Sequence, residues 1–553
     1  MTRKFNESTR SVLFLFVLLF SFLWHLSNWG VMESSEARYA EIAREMLQTG
    51  NWLIPQYLEI SHFDKPPMTY WITALGLQLF GVNPFGARFF SQIAFIIQII
   101  ILYKIVWELI GDKKLALSAA LIYAAMPLVL ISIRNLTTDA YLNTFALLAV
   151  WFYLRFNRTQ SIKWLYLFFT CLGLAIFTKG PFGILLPLLA IHPLRQFQNP
   201  HLQQHPKIRI HFYLGTLCCI IIGGWWFFYL MYHSHQFYHF FVGDQLFNRI
   251  AHADAMKRNE PFWYYFILLP LFILPVLSLF AGSVPHFFKQ QHGQLKWLIG
   301  MTILLPLFLF SLSSSKLSLY ILPLMPYIAI VTAFYFHQLE ERKLKFHFYY
   351  TLTFNLLLFT TIILFYLGIF PNISAHPGVF TISLLFLWLF YMGFTVYKTI
   401  ALQHKILLLF ISLPLFVVPI STNILEHAAF SSTVKVTNFI KSKHLENQHL
   451  IIWNRAINAI PFELQRKTFS VKYEHYSLQR NTSFQPNLKW KNYLIDIKQQ
   501  EGLSYLKTLQ QSPSLLITRD VIPPQFKDLL SIYNQQKTIG KWTVYFKQPC
   551  AIK

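Results

Sequence analysis

Residues 33–67 read ESSEARYAEIAREMLQTGNWLIPQYLEISHFDKPP and hold six of the chain's 23 acidic residues, although the sequence on either side is strongly apolar. Burying a carboxylate without a partner costs several kcal/mol, so acidic residues between lipid-soluble segments need water, a metal or cations. We expect this acidic loop to lie on the outer surface of a membrane and to supply the acidic half of an active site.

The composition supports a membrane protein. Of the 553 residues, 55% are hydrophobic and only 13% are charged, whereas about 25% of the residues of soluble domains are charged. Such a chain cannot cover itself with a polar surface, which indicates a polytopic membrane protein. The net charge of +24 does not indicate nucleic-acid binding, because the basic residues form short clusters between apolar runs and no base-stacking motif accompanies them.

The apolar runs predict an all-α bundle of about thirteen transmembrane helices. The run at 68–82 is too short to span comfortably, and we expect it to lie in the interface or to re-enter the membrane. The candidate spans are 11–31, 87–108, 115–133, 139–156, 164–178, 180–195, 210–231, 262–282, 295–312, 317–338, 346–369, 377–398 and 404–421.

The basic residues predict the orientation of these helices. If the N-terminus is cytoplasmic, every cytoplasmic loop is basic, as the positive-inside rule requires. These loops contain Lys113, Lys114, Arg155, Arg158, Lys163, Arg195, Lys207, Arg209, Lys289, Arg342, Lys343, Lys345, Lys398 and Lys405. The acidic loop, the motifs RNLTTD (134–139), TKGP (178–181) and SSSK (313–316), the loop 232–261 and the C-terminus then lie on the outer face.

The composition changes near residue 421. Residues 1–421 are expected to form the transmembrane domain, with catalytic outer loops at 33–86 and 232–261, and residues 422–553 a small soluble α/β domain on the outer face. The predicted strands are 449–453, 469–473, 493–497, 514–518 and 542–546, and the predicted helices are 433–444, 500–511 and 524–535.

Carboxylates are the first candidates for chemistry. Glu33, Glu36 and Glu41 recur at helical spacing, which is equally typical of an interfacial amphipathic helix with solvated carboxylates. Asp64 precedes Lys65 and two prolines that stiffen the backbone. Asp139 stands at the outer mouth of a helix, where an acidic residue is a functional candidate.

Four cations stand at outward helix ends or in outer loops, which opposes the tendency of positive charge to stay inside. They are Lys65, Arg134, Lys179 and Lys316. Binding a phosphate on that face explains them most simply, and snorkelling towards lipid headgroups is the alternative for each one alone.

The outer loop 232–261 contains several histidines and acidic residues that could bind a metal. Histidine is also common at aromatic-rich interfaces, so a divalent metal ion stays an open alternative. Its candidate ligands are Asp64, Asp244 and His252. No glycine pattern of a nucleotide site is present, and no nucleotide cofactor is expected.

Several motifs together resemble a known family. They are ARYAEIAREML, GNWLIPQ, FDKPPMTYW and LFGVNPFGAR within 37–88, RNLTTDAYL (134–142), TKGPFGILLP (178–187), FFVGDQLFNR (240–249) and KLSLYILPLMP (316–326). In this order they resemble the bacterial lipid A 4-amino-4-deoxy-L-arabinose transferases. More broadly, they are similar to the polyprenyl-phosphate-dependent GT-C glycosyltransferases, which include protein O-mannosyltransferases.

The resemblance implies a glycosyltransferase of the bacterial inner membrane with a GT-C fold and a periplasmic C-terminal domain. It would move a sugar from an undecaprenyl-phosphate-linked donor to lipid A or another glycolipid, within the lipid bilayer and without nucleic acid. The chain departs from the family where Ser35-Glu36 replaces an Asp-Glu pair, Asp64 replaces a Glu, and Asp244-Gln245 replaces an acidic-His pair.

The candidate site residues combine the residue chemistry with the resemblance. The catalytic candidates are Glu33, Glu36, Asp64 and Asp139. The candidates for binding the donor phosphate are Arg38, Lys65, Arg134, Lys179, Arg249, Lys316 and Tyr320.

Three other functions are weighed against this one. A protein O-glycosyltransferase of the same fold would differ only in its acceptor. A polyprenyl-lipid transporter would be expected to show inverted repeats and a polar site at the membrane midplane, whereas the polar groups here cluster at one face. A non-catalytic scaffold leaves Asp139 and the outward cations unexplained.

Overall fold

The structure is a computed structural model, and it describes residues 7–33, 35–198, 208–241, 260–289, 293–313, 315–369, 376–428, 433–474 and 479–547. The chain divides into two compact units. The first, which we call the membrane unit, comprises Met1–Asn28, Arg88–Tyr229 and Asp244–Ala428; the second, the sheet unit, comprises Trp29–Ala87, Leu230–Gly243 and Ala429–Lys553.

The described part of the membrane unit is helical. Its α-helices, two of which begin or end in the sheet unit, are Glu7–Leu23, Pro84–Ile110, Lys113–Ala124, Pro127–Arg134, Thr138–Thr159, Ile162–Lys179, Leu185–Arg195, Ile208–His233, Tyr264–Phe272, Leu277–Lys289, Gly293–Ile299, Leu305–Leu312, Met325–His337, Glu341–Tyr366, Val379–Tyr397, Leu402–Ser412 and Val418–Ala428. Short 3₁₀ segments lie at Pro181–Ile184, Leu274–Val276 and Ser318–Leu324, and π-turns at Gly300–Leu304 and Leu413–Val417.

Eight helices among the described residues are long and apolar enough to cross a membrane, or ten if each of two bent pairs is one span. The bends of 62° and 77° fall at Pro127 and between Pro270 and Pro275, because proline removes a helical hydrogen bond and crowds the preceding turn. All thirteen predicted segments overlap helices. The polytopic helical fold is therefore confirmed, and the number of thirteen crossings stays a prediction.

Two predicted boundaries are now defined. The first apolar run was expected to continue to residue 31, but its helix ends at Leu23 and His25 adopts a left-handed backbone with φ 51°. Near Thr178 the chain forms two helices, because Gly180 has φ 90° and Pro181 starts a new turn. Only glycine adopts the conformation of Gly180 without steric cost, so the break is built into the sequence.

Close approach of two helices holds part of the bundle together. An added Cβ at Gly223 on the helix Ile208–His233 would lie 2.7 Å from the Cβ of Ile176 and 2.9 Å from the carbonyl oxygen of Gly173, both on the helix Ile162–Lys179. Small residues allow helix backbones in lipid to approach and gain dispersion contacts. Gly223 is thus required by packing.

The sheet unit contains the acidic segment and a six-stranded sheet. Its helices are Ser35–Thr49, Met68–Phe80, His235–Tyr238, Val434–Ser442, Ala459–Leu464, Gln479–Thr482 and Gln500–Gln511, with 3₁₀ turns at Lys489–Asn492 and Pro524–Leu530. The strands are β1 (Gln56–Tyr57), β2 (Ile60–Ser61), β3 (His449–Trp453), β4 (Phe469–Lys472), β5 (Leu494–Asp496), β6 (Ser514–Thr518), β7 (Gln535–Ile539) and β8 (Trp542–Phe546).

The large sheet has the order β5-β4-β3-β6-β8-β7. The strands β5, β4, β3 and β6 are parallel, and β8 and β7 are antiparallel to their neighbours. Separate apolar cores cover its two faces: Leu450 and Ile452 belong to one, and Ile451 and Trp453 to the other. Strands buried on both faces read as continuous apolar runs, which is why HLIIW and SLLIT were predictable.

The small C-terminal α/β domain is confirmed, and one of its elements was predicted wrongly. The expected helix at 524–535 is a 3₁₀ turn over Pro524–Leu530 followed by the strand β7. The sequence QQKTI of β7 is almost entirely exposed, so it carries no apolar alternation that would indicate a strand. The two prolines at 523 and 524 start the turn.

We expect Gly223→Ala to lower the thermal stability of the detergent-purified protein, because its methyl group would overlap Ile176 and the backbone of Gly173. Gly224→Ala is the matched control, since its Cβ meets only the side chain of Phe228, one turn along the same helix. That control should gain up to about 1 kcal/mol from helix propensity. Equal melting temperatures of the two variants would contradict the proposed close packing.

Candidate active site

A carboxylate and an ammonium group meet at the ends of two helices in the membrane unit. Asp139 lies in the first turn of Thr138–Thr159, and Lys179 is the last residue of Ile162–Lys179; the two form an ion pair. An acidic residue at a helix N-terminus and a basic residue at a C-terminus are both favoured by the helix dipoles. The two predicted site residues are therefore brought together.

Lys316 and two tyrosines extend this arrangement. The Lys179 Nζ lies 4.6 Å from the centre of the Tyr320 ring, which is cation–π distance. The Tyr265 hydroxyl donates to the Leu317 carbonyl at 2.9 Å and accepts from the Leu317 amide at 3.2 Å, which fixes the backbone next to Lys316. We call Asp139, Lys179, Lys316, Tyr320 and Tyr265 the helix-end cluster.

Lys316 is a buried cation with little compensation. Its side chain is 4% exposed and donates to the Glu260 carbonyl at 2.7 Å, and it forms no ion pair with a described residue. Burial lowers the pKa of the Lys316 ammonium, and the charge of Glu260 opposes this change. A buried cation without a directly paired carboxylate is costly, so this position favours an anion supplied by a ligand.

A buried polar network fixes the helix that carries Asp139. The Gln98 amide donates to the Ala140 carbonyl at 2.8 Å and to Thr144 Oγ1 at 2.9 Å, and its carbonyl accepts from the Tyr123 hydroxyl at 2.5 Å. The Asn143 amide donates to the Tyr123 hydroxyl at 2.9 Å. Such a network fixes one register between helices, because any slip would leave polar atoms unpaired.

Arg134 makes one of its contacts to another helix of the membrane unit. It is 6% exposed, and its Nη1 donates to the carbonyl of Phe22 at 2.5 Å. Phe22 is the penultimate residue of the helix Glu7–Leu23. Part of the guanidinium therefore satisfies a carbonyl at a helix C-terminus, where carbonyl groups have no partner within the helix.

The acidic segment forms the helix Ser35–Thr49, and its carboxylates are bound within the sheet unit. Glu36 accepts from the Met32 amide at 2.8 Å, and Glu41 accepts two hydrogen bonds of 2.7 Å from Arg44. Glu45 accepts from the Leu58 amide at 3.4 Å. All three carboxylate residues are buried, so the alternative of a solvated interfacial helix is wrong for them.

Glu33 contacts the C-terminal part of the sheet unit. Its Oε1 accepts from the Ala459 amide at 2.6 Å, and its Oε2 accepts from Asn458 Nδ2 at 3.3 Å. Nearby, the Tyr57 hydroxyl donates to the Ile457 carbonyl at 3.0 Å, and Lys467 pairs with Glu59. These contacts attach the acidic segment to residues 457–467, which gives Glu33 a structural role.

Burial changes the acidity of these groups. It raises the pKa of Glu33 to about 7 and that of Glu45 to about 7. Burial also raises the pKa of Glu41, while the hydrogen bonds from Arg44 oppose that rise. Removing a carboxylate from water disfavours its charged form, so protonation of Glu33 and Glu45 is sensitive to pH near neutrality.

Asp64 is held by a histidine and an asparagine. His62 is buried, and its Nε2 lies 3.2 Å from Asp64 Oδ2. The Asn481 amide nitrogen lies 3.2 Å from His62 Nδ1 and 3.5 Å from Asp64 Oδ2. Because that amide nitrogen is a donor, His62 Nδ1 is the acceptor and Nε2 carries the proton towards Asp64.

The remaining candidates of this segment surround Asp64. The charges of Asp64 and Glu33 both act on Arg38, and Lys65 follows Asp64 in the chain and is half-buried. Phe63, between His62 and Asp64, packs on the rings of Phe237 and Phe240.

Three residues of these arrangements were missed by sequence reasoning. His62 stands two positions before Asp64, a spacing that puts both side chains on one side of an extended segment, so it could have been found. Asn481 is more than 400 residues away and gives no signal in the sequence. Tyr265 lies among many aromatic residues of an apolar helix, where nothing distinguishes it.

Part of the predicted site lies outside the described residues. Arg249, Asp244 and His252, with most of the loop 232–261, fall in this part. Within the described ranges, no group of three or more His, Cys, Asp or Glu side chains is arranged to hold a metal ion. The divalent metal therefore stays an open alternative without support.

Parts of this chain are similar in sequence to known proteins. Residues 64–226 match the family described as dolichyl-phosphate-mannose-protein mannosyltransferase. The undecaprenyl phosphate-alpha-4-amino-4-deoxy-L-arabinose arabinosyl transferase 1 of Pseudomonas fluorescens is 30% identical over 315 residues, 56% of each chain. The transferase of this name from Photorhabdus laumondii is 29% identical over 340 residues, 59% of this chain and 60% of its own. The chain thus spans about three fifths of these curated relatives.

Solved structures match over nearly the whole chain. The crystal structure of ArnT from Cupriavidus metallidurans bound to undecaprenyl phosphate has a TM-score of 0.76 at 19% identity and covers 99% of both chains. Its apo state has a TM-score of 0.73 at 18% identity and covers 98% of both. The chain therefore has the fold of ArnT, a multi-pass membrane protein, and the predicted resemblance is confirmed.

We expect Glu33→Gln to make stability less dependent on pH. The folded state keeps the Glu33 proton up to about pH 7, whereas the ordinary pKa is 4.5, so the contribution of Glu33 to the free energy of unfolding falls as the pH rises between these values. The variant should melt at a higher temperature than the wild type at pH 8, and the difference should shrink towards pH 5.

Thermal unfolding followed by tryptophan fluorescence checks this expectation. Glu501→Gln is the matched control, since Glu501 is exposed on the helix Gln500–Gln511. If Glu33→Gln leaves the slope of melting temperature against pH unchanged, Glu33 does not titrate in the range inferred from its burial.

Proposed function

We propose that this chain is a glycosyltransferase of the bacterial inner membrane that uses an undecaprenyl-phosphate-linked sugar donor. The observation that carries the proposal is the helix-end cluster, in which Asp139 pairs with Lys179 and the buried Lys316 forms no ion pair with a described residue. A phosphate is the anion that this fold would meet, because the related crystal structure contains undecaprenyl phosphate.

The proposed sugar is 4-amino-4-deoxy-L-arabinose or a similar one, and the proposed acceptor is lipid A or another glycolipid. The proposal of this sugar rests on the names of the curated relatives. The second candidate is transfer to a protein hydroxyl, since the family that matches residues 64–226 is described as a protein mannosyltransferase. A transporter gains no support from the fold match.

In the proposed reaction, an oxygen of the acceptor forms a bond to the anomeric carbon of the sugar. The bond between that carbon and the donor's phosphate oxygen breaks, and its electron pair leaves with undecaprenyl phosphate. Lys316 and Lys179 would stabilise the charge that develops on the leaving phosphate. Lys65, Arg38, Arg134, Arg249 and Tyr320 remain proposed contributors to donor binding.

The carboxylates have three proposed roles. Asp139 is positioned by a helix N-terminus and by Lys179, so it would orient the acceptor or the sugar. Asp64, which faces the Nε2 proton of His62, would accept a proton from an acceptor hydroxyl or bind the amine of the sugar. Glu33 and Glu36 are already occupied by backbone amides, so we propose that they position the segment.

The proposed orientation follows from the basic loops. With the N-terminus in the cytoplasm, the segments that carry Asp64, Asp139, Lys179 and Lys316 and residues 422–553 would be periplasmic. A phosphatase reporter fused after Lys553 should be active in the periplasm. Activity of a cytoplasmic reporter at that position would overturn the orientation and with it the periplasmic acceptor.

We expect Asp139→Asn to reduce sugar transfer by about 100-fold or more, the scale of losing one preorganised electrostatic group. Mass spectrometry of lipid A from cells with the wild type, the variant and no protein measures the transfer. Asp112→Asn is the matched control: Asp112 is another carboxylate at a helix N-terminus, where it caps the helix by accepting from the amides of Lys114 and Leu115, and asparagine caps equally well.

Both variants should insert into the membrane in equal amounts. Normal transfer by Asp139→Asn would remove Asp139 from the proposed site. A lipid A profile that does not depend on the protein at all would shift the proposal to the protein acceptor.

We expect His62→Ala to lower the turnover rate, because it removes the group that donates to Asp64. His62→Gln should restore part of the rate, since glutamine can still donate to Asp64 and accept from Asn481. Turnover that falls equally in the two variants would contradict the proposed orientation of Asp64 by His62.

A further inference from the structure

A second polar site lies in the sheet unit, at the point where the order of the parallel strands reverses. From β3 the chain proceeds outward to β4 and β5, and then returns to place β6 on the other side of β3. In open α/β sheets, ligands bind at the carboxyl ends of the strands beside such a reversal. This crevice involves none of the proposed catalytic residues.

Three loops at these strand ends meet on one residue. Asn454 directly follows β3 and has a left-handed backbone with φ 56°. Its Oδ1 accepts from the Glu474 amide at 2.8 Å in the loop after β4, and its amide nitrogen lies 3.4 Å from Asp520 Oδ2 in the loop after β6. Asparagine adopts this conformation more readily than most residues, and these hydrogen bonds hold the three loops together.

The acidic group at this point is already neutralised. Arg455 donates to Asp520 through Nη2 at 2.8 Å and through Nε at 3.3 Å. The Asp520 amide donates to Thr518 Oγ1 at 3.0 Å, which fixes the turn after β6. The Asp520 carboxylate therefore fixes the loops at these strand ends, and Arg455 balances its negative charge.

Asp520 also lines a cavity of about 540 Å³, whose other lining residues lie within 518–531 and on β8 and not in the loops after β3 and β4. A cavity of this size accommodates a small ligand. Two cations line it, Arg519 and Lys527, and neither forms an ion pair with a described residue. The Asp520 carboxylate and the hydroxyl groups of Thr518, Ser531, Thr543 and Tyr545 supply the rest of its polar lining.

This lining defines the class of ligand. Arg and Lys side chains recognise phosphate, and hydroxyl groups can both donate to and accept from the hydroxyls of a sugar. We propose that this cavity binds a phosphorylated sugar, either free or as the headgroup of a glycolipid. The inference goes beyond the proposed transfer reaction and does not depend on it.

Binding of glucosamine 1-phosphate to the full-length protein in lipid nanodiscs tests the proposal by calorimetry. Arg519→Gln combined with Lys527→Gln should weaken binding at least tenfold. The matched control combines Lys537→Gln with Lys541→Gln: it removes the same charge from exposed residues that do not line the cavity. Its affinity should equal that of the wild type.

A second variant, Ser531→Leu, fills the cavity and keeps its charge, and it should also abolish binding. Unchanged affinity in both site variants, an equal loss in the control, or equally strong binding of inorganic phosphate would overturn the proposal. Adding lipid A to the nanodiscs separates the two sources: competition with the probe supports a glycolipid headgroup, and no competition supports a free sugar phosphate.

Discussion

The pairing of Asp139 with Lys179 is the interaction on which the organisation of the membrane unit depends. An isolated charge at the edge of the hydrocarbon region is expensive, so it persists only where a partner, water or a ligand compensates it. The pair joins the start of one helix to the end of another and satisfies both helix dipoles. The Gln98 network beneath it then fixes the depth of Asp139 within the bundle.

In the acidic segment, the charged groups stabilise the fold of the sheet unit. Its carboxylates are directed inward, towards backbone amides and Arg44, and they hold the helix Ser35–Thr49 against the hairpin of β1 and β2 and against residues 457–467. A carboxylate that accepts from buried amides serves structure first. Asp64 is different, because it contacts the side chains of His62 and Asn481.

Local sequence determined most of the fold, and long-range contacts determined what could not be predicted. Apolar runs marked every described helix of the membrane unit, and the runs HLIIW and SLLIT marked central strands. The strand β7 was not predicted because its side chains are exposed, and the turn at Pro524 was predicted as a helix because its composition is typical of one. At the site, Asp139 and Lys179 were recognisable at helix mouths, but their pairing depends on how two consecutive helices pack, since the two residues are 40 positions apart. Asn481 could not have been assigned to Asp64 from any pattern in the sequence.

The exposed strand β7 has a consequence for how these molecules behave when crowded on a membrane. An edge strand offers unpaired backbone groups on which a strand of another chain can assemble. Here the edge reads QQKTI, without an apolar residue before its last position and with Lys537 at its centre. Two copies that meet along this edge would bring like charges together, so the exposed edge does not favour pairing with the sheet of another copy.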